Sequence, residues 1–344
     1  MSYYYLCKIN INLFSSARNK FTAANFEYST PMSDKNLKIT EDNAGRRLDN
    51  FLFNVYKTLP KSKIYNMIRK GEIRVNSGRI KPSRKLLLDD EIRIPPYLID
   101  FDEIEVTIKI PPSRIKEYWK SILFENNDYI VFNKDPELSV HSGSNNQFGL
   151  IDISRAAHES DQIDLCHRID KSTSGCIVLA KNKKFLRNFH DQLKDDKISK
   201  KYEAILMGQF EGNQRIETKI DSSTKEFLHK VQETDDGKDA ISEFKLIKKL
   251  GLYSHVEILI FTGRMHQIRV QSANINLPIV NDKKYGDFAA NKLLAKETGV
   301  SRLALHSSHI EFYDQSGSKV AYKAPIDKEF DILLTKLSSV TIQS

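Results

Sequence analysis

From about residue 122 to the C-terminus, short apolar strand patterns and helix patterns alternate at irregular spacing, and this feature most constrains the fold. Strands are predicted at 129–133, 176–181, 202–207 and 256–262, and helices at 185–194 and 328–337. A doubly wound parallel sheet would require a regular strand–helix–strand spacing, which this chain does not show. The pattern therefore predicts an α+β domain over residues 121–344, without an internal repeat.

A smaller patterned unit precedes this domain, over residues 36–97. Its first helix is predicted from apolar residues at i, i+3, i+4 and i+7, namely Leu48, Phe51, Leu52 and Val55. A second helix carries Ile64, Met67 and Ile68 on one face and is expected to end at Gly71. Alternating residues at 73–75 and 92–94 predict short strands. Residues 98–120, with a proline pair in their middle, are expected to form a connector.

The second helix of the smaller unit and the segment after it are strongly basic. Between Lys61 and Lys85 the only acidic residue is Glu72, whereas a merely solvated helix face normally carries mixed charge. The chain has 53 basic and 45 acidic residues, a net charge of +8, which permits a polyanionic partner without requiring one. We therefore predict that this unit binds structured RNA through Lys61, Lys63, Asn66, Lys70, Arg74 and Lys81.

Residues 1–35 lack a helical or strand period and are expected to be a disordered or mis-annotated extension, with Met32 as the true start and organellar targeting as the alternative. No apolar run approaches the roughly 20 residues that span a bilayer, so no membrane association is expected. The three cysteines form no Cys-x-x-Cys pair and suit a reducing cytoplasm. Cys166 precedes His167 but lacks further ligands at workable spacing, so Cys166 and Cys176 are predicted to be buried and no metal site is expected.

One carboxylate in a loop before an apolar strand is the candidate catalytic group. Asp170 lies between Arg168 and Lys171, and nearby cations favour an ionised carboxylate. Such a group can act as a nucleophile. From the residues alone, a surface aspartate between two basic residues fits the pattern as well.

Several motifs follow one another in order along the second domain. They are His167-Arg168-Ile169-Asp170, Thr173-Ser174-Gly175, Lys200-Lys201-Tyr202, Thr262-Gly263-Arg264-Met265-His266-Gln267-Ile268-Arg269, Asp282 and Tyr285-Gly286. This series resembles the RluA-type pseudouridine synthases, and the smaller unit resembles the S4 RNA-binding domain. The resemblance implies an α+β chain with an N-terminal S4 (αL-type) domain. A pseudouridine synthase catalytic domain, built on a mixed, largely antiparallel β-sheet with flanking helices, would follow it.

The same resemblance implies roles for individual residues. Asp170 would be the catalytic residue, Tyr202 would lie against the target uracil and take part in proton transfer, and Arg269 would form a salt bridge with Asp170. Arg168 would fill the space left by a flipped-out base. Further contacts with the substrate are expected from His167, Thr173, Lys200, Arg264 and His266, and no cofactor is expected.

Without the family pattern, ordinary structural explanations remain for these residues. Tyr202 would be a core residue of an apolar strand, Arg264 and Arg269 would be surface charges, and His266 a structural hydrogen-bonding group. The motif sequences most resemble those of synthases that modify large-subunit ribosomal RNA. The resemblance implies that this protein acts as a monomer in the cytoplasm. Glu137 and Gln271 depart from the family pattern. The alternatives are a synthase that acts on tRNA and a non-catalytic RNA-binding or ribosome-assembly protein.

Overall fold

The computed structural model describes residues 35–41, 43–56, 59–101, 110–142, 148–221, 232–233 and 237–339. The predicted extension, including Met32 but excepting Lys35, lies outside these residues. The chain divides into two compact units between residues 108 and 109. Within the described residues, no helix is both long enough and apolar enough to cross a membrane.

The first unit combines two helices with a small antiparallel sheet. Its elements are β1 (Lys35–Lys38), α1 (Leu48–Val55), α2 (Lys61–Lys70), β2 (Arg74–Val75), β3 (Glu91–Ile94) and a 3-10 turn (Pro96–Phe101). The strands are ordered β1-β3-β2. Both helices pack on this sheet through one apolar core that includes Leu48, Leu52, Ile64, Ile68 and Ile92. The two predicted helices and both predicted strands are therefore present.

The ends of the two helices follow from local sequence. Gly71 follows α2 in the left-handed conformation, with φ of +75°, which is the predicted helix stop. Val55 was expected on the buried face of α1, but it is 42% exposed, so that prediction is wrong. Because α1 ends at Val55, the chain leaves the helix there, and the next residue, Tyr56, is buried in the core instead.

The second unit is larger and is built on one twisted sheet with helices against it. Its helices are α3 (Pro112–Lys120), α4 (Leu150–His158), α5 (Lys183–Lys194), α6 (Gln267–Asn274), α7 (Phe288–Thr298) and α8 (Lys328–Ser339). Its strands are β4 (Ile122–Glu125), β5 (Tyr129–Lys134), β6 (Asp164–Leu165), β7 (Ser174–Ala180), β8 (Ser199–Met207), β9 (Asn213–Asp221), β10 (Gln232–Glu233), β11 (Lys238–Leu250), β12 (Tyr253–Ile260), β13 (Leu305–Tyr313) and β14 (Lys319–Lys323).

The sheet is mixed and mostly antiparallel. Its strand order is β10-β9-β11-β12-β8-β13-β7-β5-β4, with β14 beside β13 and β6 beside β7. Among the described strands, only β7 and β13 pair in parallel, where Ser174 lies opposite His306. The predicted α+β class with a largely antiparallel sheet is confirmed. Strand β7 is buried along its whole length, and Cys166 and Cys176 are buried as predicted.

The stretch that was expected to be a connector contains α3. The proline pair Pro111-Pro112 marks the start of this helix, with Pro111 at the N-cap and Pro112 as the first helical residue. Proline is favoured in the first helical turn because the N–H that it lacks would have no partner within the helix there. Tyr118 of α3 is buried, and its hydroxyl lies 3.0 Å from Nε2 of His158 on α4. The end of the expected connector is therefore part of the second unit's packing.

Candidate active site

One cavity of about 600 Å³ opens in the second unit, and the motifs predicted from the sequence converge on it. Its walls are the loop between β6 and β7, the start of β8, the loop between β12 and α6, and α6 itself. All the site residues predicted for this unit line the cavity, namely His167, Arg168, Asp170, Thr173, Lys200, Tyr202, Arg264, His266 and Arg269. Residues up to 102 apart along the chain thus share one concave surface.

Arg269 connects two carboxylates at the base of this cavity. Its Nε and Nη2 donate to the two oxygens of Asp282, each at 2.8 Å. Its Nη1 donates to Oδ2 of Asp170 at 3.4 Å. A guanidinium group held by a bidentate carboxylate cannot rotate freely, so Asp282 fixes the direction of the N–H that faces Asp170.

The electrostatics of this triad keep its charges in place. Burial raises the pKa of the Asp282 carboxyl, but the hydrogen bonds and charge of Arg269 outweigh it, and the pKa is lowered overall. Burial lowers the pKa of Arg269, and Asp282 and Asp170 together raise it above its ordinary value. Asp282 therefore stays ionised and Arg269 stays protonated near neutral pH.

His266 faces the same oxygen of Asp170 as Arg269 does. Its Nε2 is 3.7 Å from Oδ2 of Asp170, longer than a hydrogen bond, while its Nδ1 is 2.8 Å from the hydroxyl of Tyr285. Burial lowers the pKa of His266, so the imidazole is neutral near pH 7. The guanidinium of Arg269 also lies over the Tyr285 ring, 5.1 Å from its centroid. Tyr285 thus contacts both groups that face the carboxylate.

The buried side chain of Lys134 binds the loop that carries Asp170. Lys134, at the end of β5, is fully buried. Its Nζ donates to the carbonyl oxygens of Asp135, Leu138 and Lys171 at 2.8, 2.9 and 2.9 Å. Three N–H donors thus meet three acceptors, and one of these is the carbonyl directly after Asp170. Burial lowers the pKa of Lys134 to about 7.

The loop that carries Asp170 ends where β7 begins, and its end is fixed by hydrogen bonds and close packing. The hydroxyl of Ser174 lies 2.8 Å from Nδ1 of His306 and accepts from Nη1 of Arg302 at 3.0 Å. Gly175 follows with φ of +107°, and a Cβ at this position would lie 2.2 Å from the carbonyl oxygen of Ser307. Only glycine permits this close approach of β7 to β13. The loop that carries Asp170 is therefore anchored on its C-terminal side, at the Lys171 carbonyl and at Ser174.

Tyr202, Lys200 and His167 form another wall of the cavity. Burial raises the pKa of Tyr202 well above its usual range, so its hydroxyl stays protonated. Burial lowers the pKa of Lys200. Nε2 of His167 accepts from the Val178 N–H at 3.1 Å, and burial lowers the pKa of this histidine to about 3. His167 is accordingly a neutral imidazole with its remaining proton on Nδ1.

Buried amide side chains seat α6, the helix that carries Arg269, on the sheet. Gln267 donates to the Ile241 carbonyl and to the Ser242 hydroxyl, at 3.0 and 2.8 Å. Gln271 accepts from Ser242 at 2.8 Å and donates to the Ala240 carbonyl at 3.0 Å. Gln271, which departs from the family pattern, therefore serves to bind α6 to β11.

The RNA-binding residues predicted for the first unit do not take part in this cavity. Lys61, Lys63, Asn66, Lys70 and Lys81 are exposed, and Arg74 is half-buried. Nε of Arg74 donates to the Gly71 carbonyl at 3.0 Å, so this side chain also closes the end of α2. Nζ of Lys61 lies over the ring of Phe53, 5.2 Å from its centroid, which adds an aromatic group to the basic surface.

Sequence reasoning assigned no role to several residues that build the site. Asp282 and Tyr285 were noted only as members of an ordered motif, and Lys134 and Arg302 were not singled out. An isolated aspartate before two lysines gives no local signal of burial, and only its pairing with Arg269 shows its role. Among the described residues, no group of three or more histidine, cysteine, aspartate or glutamate side chains is placed to hold a metal ion.

Comparison with known protein families identifies both units. Residues 128–274 match the family model described as RNA pseudouridylate synthase, and residues 46–92 match the S4 domain. The S4 match covers α1, α2, β2 and the first two residues of β3, and identifies the first unit as an RNA-binding domain.

Curated relatives match the chain nearly from end to end. Ribosomal large subunit pseudouridine synthase C of Buchnera aphidicola is 36% identical over 305 residues, covering 88% of this chain and 96% of the relative. The protein of that name from Escherichia coli is 36% identical over 312 residues, covering 89% and 97% of the two chains.

Solved structures share the fold of the second unit. Human RNA Pseudouridylate Synthase Domain Containing 1 superposes with a TM-score of 0.52 at 22% identity, covering 67% of this chain and 98% of the human chain. Human RNA Pseudouridylate Synthase Domain Containing 4 superposes with a TM-score of 0.53, also at 22% identity, covering 65% and 95%. At this level of identity the likeness shows the fold.

Proposed function

The chain belongs to the RNA pseudouridylate synthase family, and we propose that it isomerises specific uridines of large-subunit ribosomal RNA to pseudouridine with Asp170 as the catalytic carboxylate. The observation that carries the assignment is the contact between Asp170 and Arg269, which Asp282 holds in place within the cavity. A protein that only bound RNA would not require a buried arginine aimed at a carboxylate. For this reason the non-catalytic alternative is disfavoured.

The choice of large-subunit ribosomal RNA is supported by the relatives and by the first unit. The two relatives named ribosomal large subunit pseudouridine synthase C match across 88% and 89% of this chain, and this chain carries an S4 domain. The basic face of α2 supplies sequence-independent attraction to phosphates. We infer that the S4 domain adds affinity for the structured RNA, while the cavity selects and converts the uridine.

The reaction breaks the bond between N1 of uracil and C1′ of ribose, rotates the base, and joins C5 to C1′. A proton leaves C5 and another is gained at N1, so that the product is an isomer of the substrate. A base stacked in RNA cannot be reached, and the target nucleotide must first be extruded into a pocket. The Asp170 carboxylate is then the group placed to act at the sugar or the base, with Arg269 keeping it oriented.

The remaining cavity residues have complementary roles in this proposal. Tyr202 offers a ring face to the extruded uracil and a protonated hydroxyl for proton transfer. Arg168 is exposed at the edge of the cavity and is the candidate for filling the gap that the extruded base leaves in the RNA. His167, Thr173, Lys200, Arg264 and His266 line the space where the nucleotide would lie.

We further propose that the protein acts as a monomer in the cytoplasm. The walls of the cavity, including the pair of Asp170 and Arg269, come from a single chain, so no second subunit is needed to complete the site. The cytoplasmic location rests on the bacterial relatives, whose names place their substrate in the ribosome.

The test is to incubate the protein separately with unmodified large-subunit ribosomal RNA and with unmodified bulk tRNA. Pseudouridine would be mapped in each by chemical labelling and sequencing. We expect labelled positions at discrete uridines of the ribosomal RNA. Modification confined to tRNA would overturn the choice of substrate while leaving the synthase activity intact. Binding of either RNA without any pseudouridine would favour the non-catalytic alternative.

A further inference from the structure

Phe261 is an exposed aromatic side chain at the edge of the cavity. It directly follows β12, in the loop that leads to α6 and His266. The ring lines the cavity that contains Asp170, yet the residue is 40% exposed. Met265, in the same loop, lines the cavity and is 42% exposed. Phe261 and Met265 therefore give this part of the cavity wall two partly exposed apolar side chains.

The position of the Phe261 ring is fixed by its neighbours. Its backbone N–H donates to the Ile241 carbonyl at 3.0 Å, which continues the pairing of β12 with β11. The guanidinium of Arg215 lies 5.0 Å from the ring centroid. Arg215 is itself held by Glu217 and Glu243, at 2.7 and 3.1 Å. A ring supported in this way is a preformed surface that loses little entropy when a flat group stacks on it.

The charge around the ring favours a nucleic acid over a protein. Arg168 and Arg264 line the same cavity as Phe261, and Arg215 lies against its ring. Arginines beside an exposed aromatic ring are the combination that binds unpaired nucleotides, because the cations attract phosphates and the ring stacks on bases. A protein partner that covered Phe261 would also close the cavity to its substrate. The RNA that delivers the uridine is the one partner that must lie at this edge.

Resting on the proposed function, we propose that Phe261 is a stacking platform for a nucleobase next to the target uridine in the substrate RNA. When the uridine is extruded, its neighbours lose a stacking partner. The Phe261 ring then replaces part of that stacking for one flanking base, in the way that aromatic residues hold splayed bases in RNA loops. The role is one of positioning: the ring does not touch the reacting atoms, and it determines how well the flanking nucleotide is held.

The first test compares variants under steady-state conditions on a short, unmodified hairpin RNA that contains one uridine that the wild type converts to pseudouridine. Phe261→Ala should raise KM about tenfold, within the range for one base–aromatic stack, and leave kcat within about twofold. Phe261→Trp should stay near the wild type, because it preserves the ring surface. Phe288→Ala is the matched control: Phe288 is 77% exposed but does not line the cavity, and its loss should leave KM unchanged.

The second test removes the other partner of the stack. An abasic site is introduced on either side of the target uridine, one RNA at a time. For one flanking position, the abasic RNA should cost the wild type about tenfold in KM and cost Phe261→Ala no more than about twofold, since the stack is already lost. A purely structural role for Phe261 would give the same penalty in both proteins.

The outcomes separate this inference from the proposed function. If wild-type protein forms no pseudouridine in any RNA, the proposed function fails. If the wild type is active and Phe261→Ala has the same KM, the stacking platform is refuted. It is also refuted if, for every abasic RNA, the increase in KM is as large in Phe261→Ala as in the wild type. A lowered melting temperature of Phe261→Ala together with a lowered kcat would likewise assign the ring to folding and refute the proposal.

Discussion

Asp282 binds the guanidinium group of Arg269 through both of its oxygens. Replacing Asp282 with asparagine tests whether this contact positions Arg269 against Asp170. Oδ1 of Asp282 accepts from Nη2 of Arg269 and from the N–H groups of Lys284 and Tyr285. Its Oδ2 accepts from Nε of Arg269. In Asp282→Asn the amide oxygen can keep the first set of bonds, but the amide nitrogen must face the Nε–H of Arg269. One charge-assisted hydrogen bond becomes a contact between two donors.

The expected cost follows from burial, since Asp282 is only 1% exposed. Removing one member of a buried ion pair typically lowers the free energy of unfolding by about 3–5 kcal/mol. In Asp282→Asn the amide oxygen keeps its hydrogen bonds, and Asp170 still faces Arg269, so we expect a loss near the lower limit, about 3 kcal/mol. For a unit of this size, that corresponds to a fall in Tm of roughly 6–12 °C. Arg269 would also no longer be held against Asp170, and a misplacement of about 1 Å at a catalytic group can lower kcat by about 100-fold.

The assay combines thermal unfolding with single-turnover kinetics on a substrate RNA. Asp191→Asn is the control, because Asp191 pairs with Lys194 on the exposed surface of α5 and should show no change in Tm or rate. If Asp282→Asn unfolds within about 1 °C of the wild type and turns over within about twofold, Asp282 does not position Arg269. The reasoning about the triad would then be refuted.

Two further predictions concern the loop that carries Asp170. Gly175→Ala should strongly destabilise the second unit and lower activity, because its Cβ would lie 2.2 Å from the Ser307 oxygen. Gly317→Ala, also at positive φ but with open space around it, should cost only about 1 kcal/mol, and equal Tm values for the two variants would contradict this account. Lys134 should make stability rise with pH above about 7. Burial lowers its pKa to about 7 from 10.5, so between these values the unfolded chain binds a proton that the folded chain does not. The gain in unfolding free energy between about pH 6.5 and 9.5, measured with urea, should shrink in Lys134→Met, and an unchanged gain would exclude Lys134 as its source.

The elements that could be predicted from the sequence are those whose buried residues are apolar. The strands β5, β7 and β8 each contain an apolar run, at residues 129–132, 176–180 and 204–207. Such runs produce a clear signal whatever their partners are. The helices α5 and α8 each bury an apolar stripe, and they were predicted for the same reason.

The missed elements have buried polar residues or large exposed faces. In α6 the buried residues include Gln267, Arg269 and Gln271, so hydrophobic periodicity could not identify this helix. Most residues of β11 are at least partly exposed, and the strand is stabilised by its two neighbours instead of by an apolar pattern of its own.

The ordered motifs predicted the residues of the candidate site and the contact between Asp170 and Arg269, but not the residues that support this pair. The motifs named the residues that line the cavity, because each lies in a short local pattern. The support given by Asp282, Lys134 and Arg302 depends on contacts across the sheet, such as that between Lys134 and the Lys171 carbonyl. Nothing in the local sequence of these residues specifies a partner so far along the chain.

The measurement that tests the account most directly compares the wild type, Asp170→Asn and Asp196→Asn on the same substrate RNA. Asp196 also lines the cavity, but it lies after α5 and has no hydrogen bond with Arg269 among the described contacts. Pseudouridine formation and RNA binding would be measured in parallel. We expect Asp170→Asn to bind RNA as tightly as the wild type and to form no pseudouridine, while Asp196→Asn retains at least about half of the rate. Equal pseudouridine formation by the wild type and Asp170→Asn would contradict the assignment of Asp170 as the catalytic carboxylate.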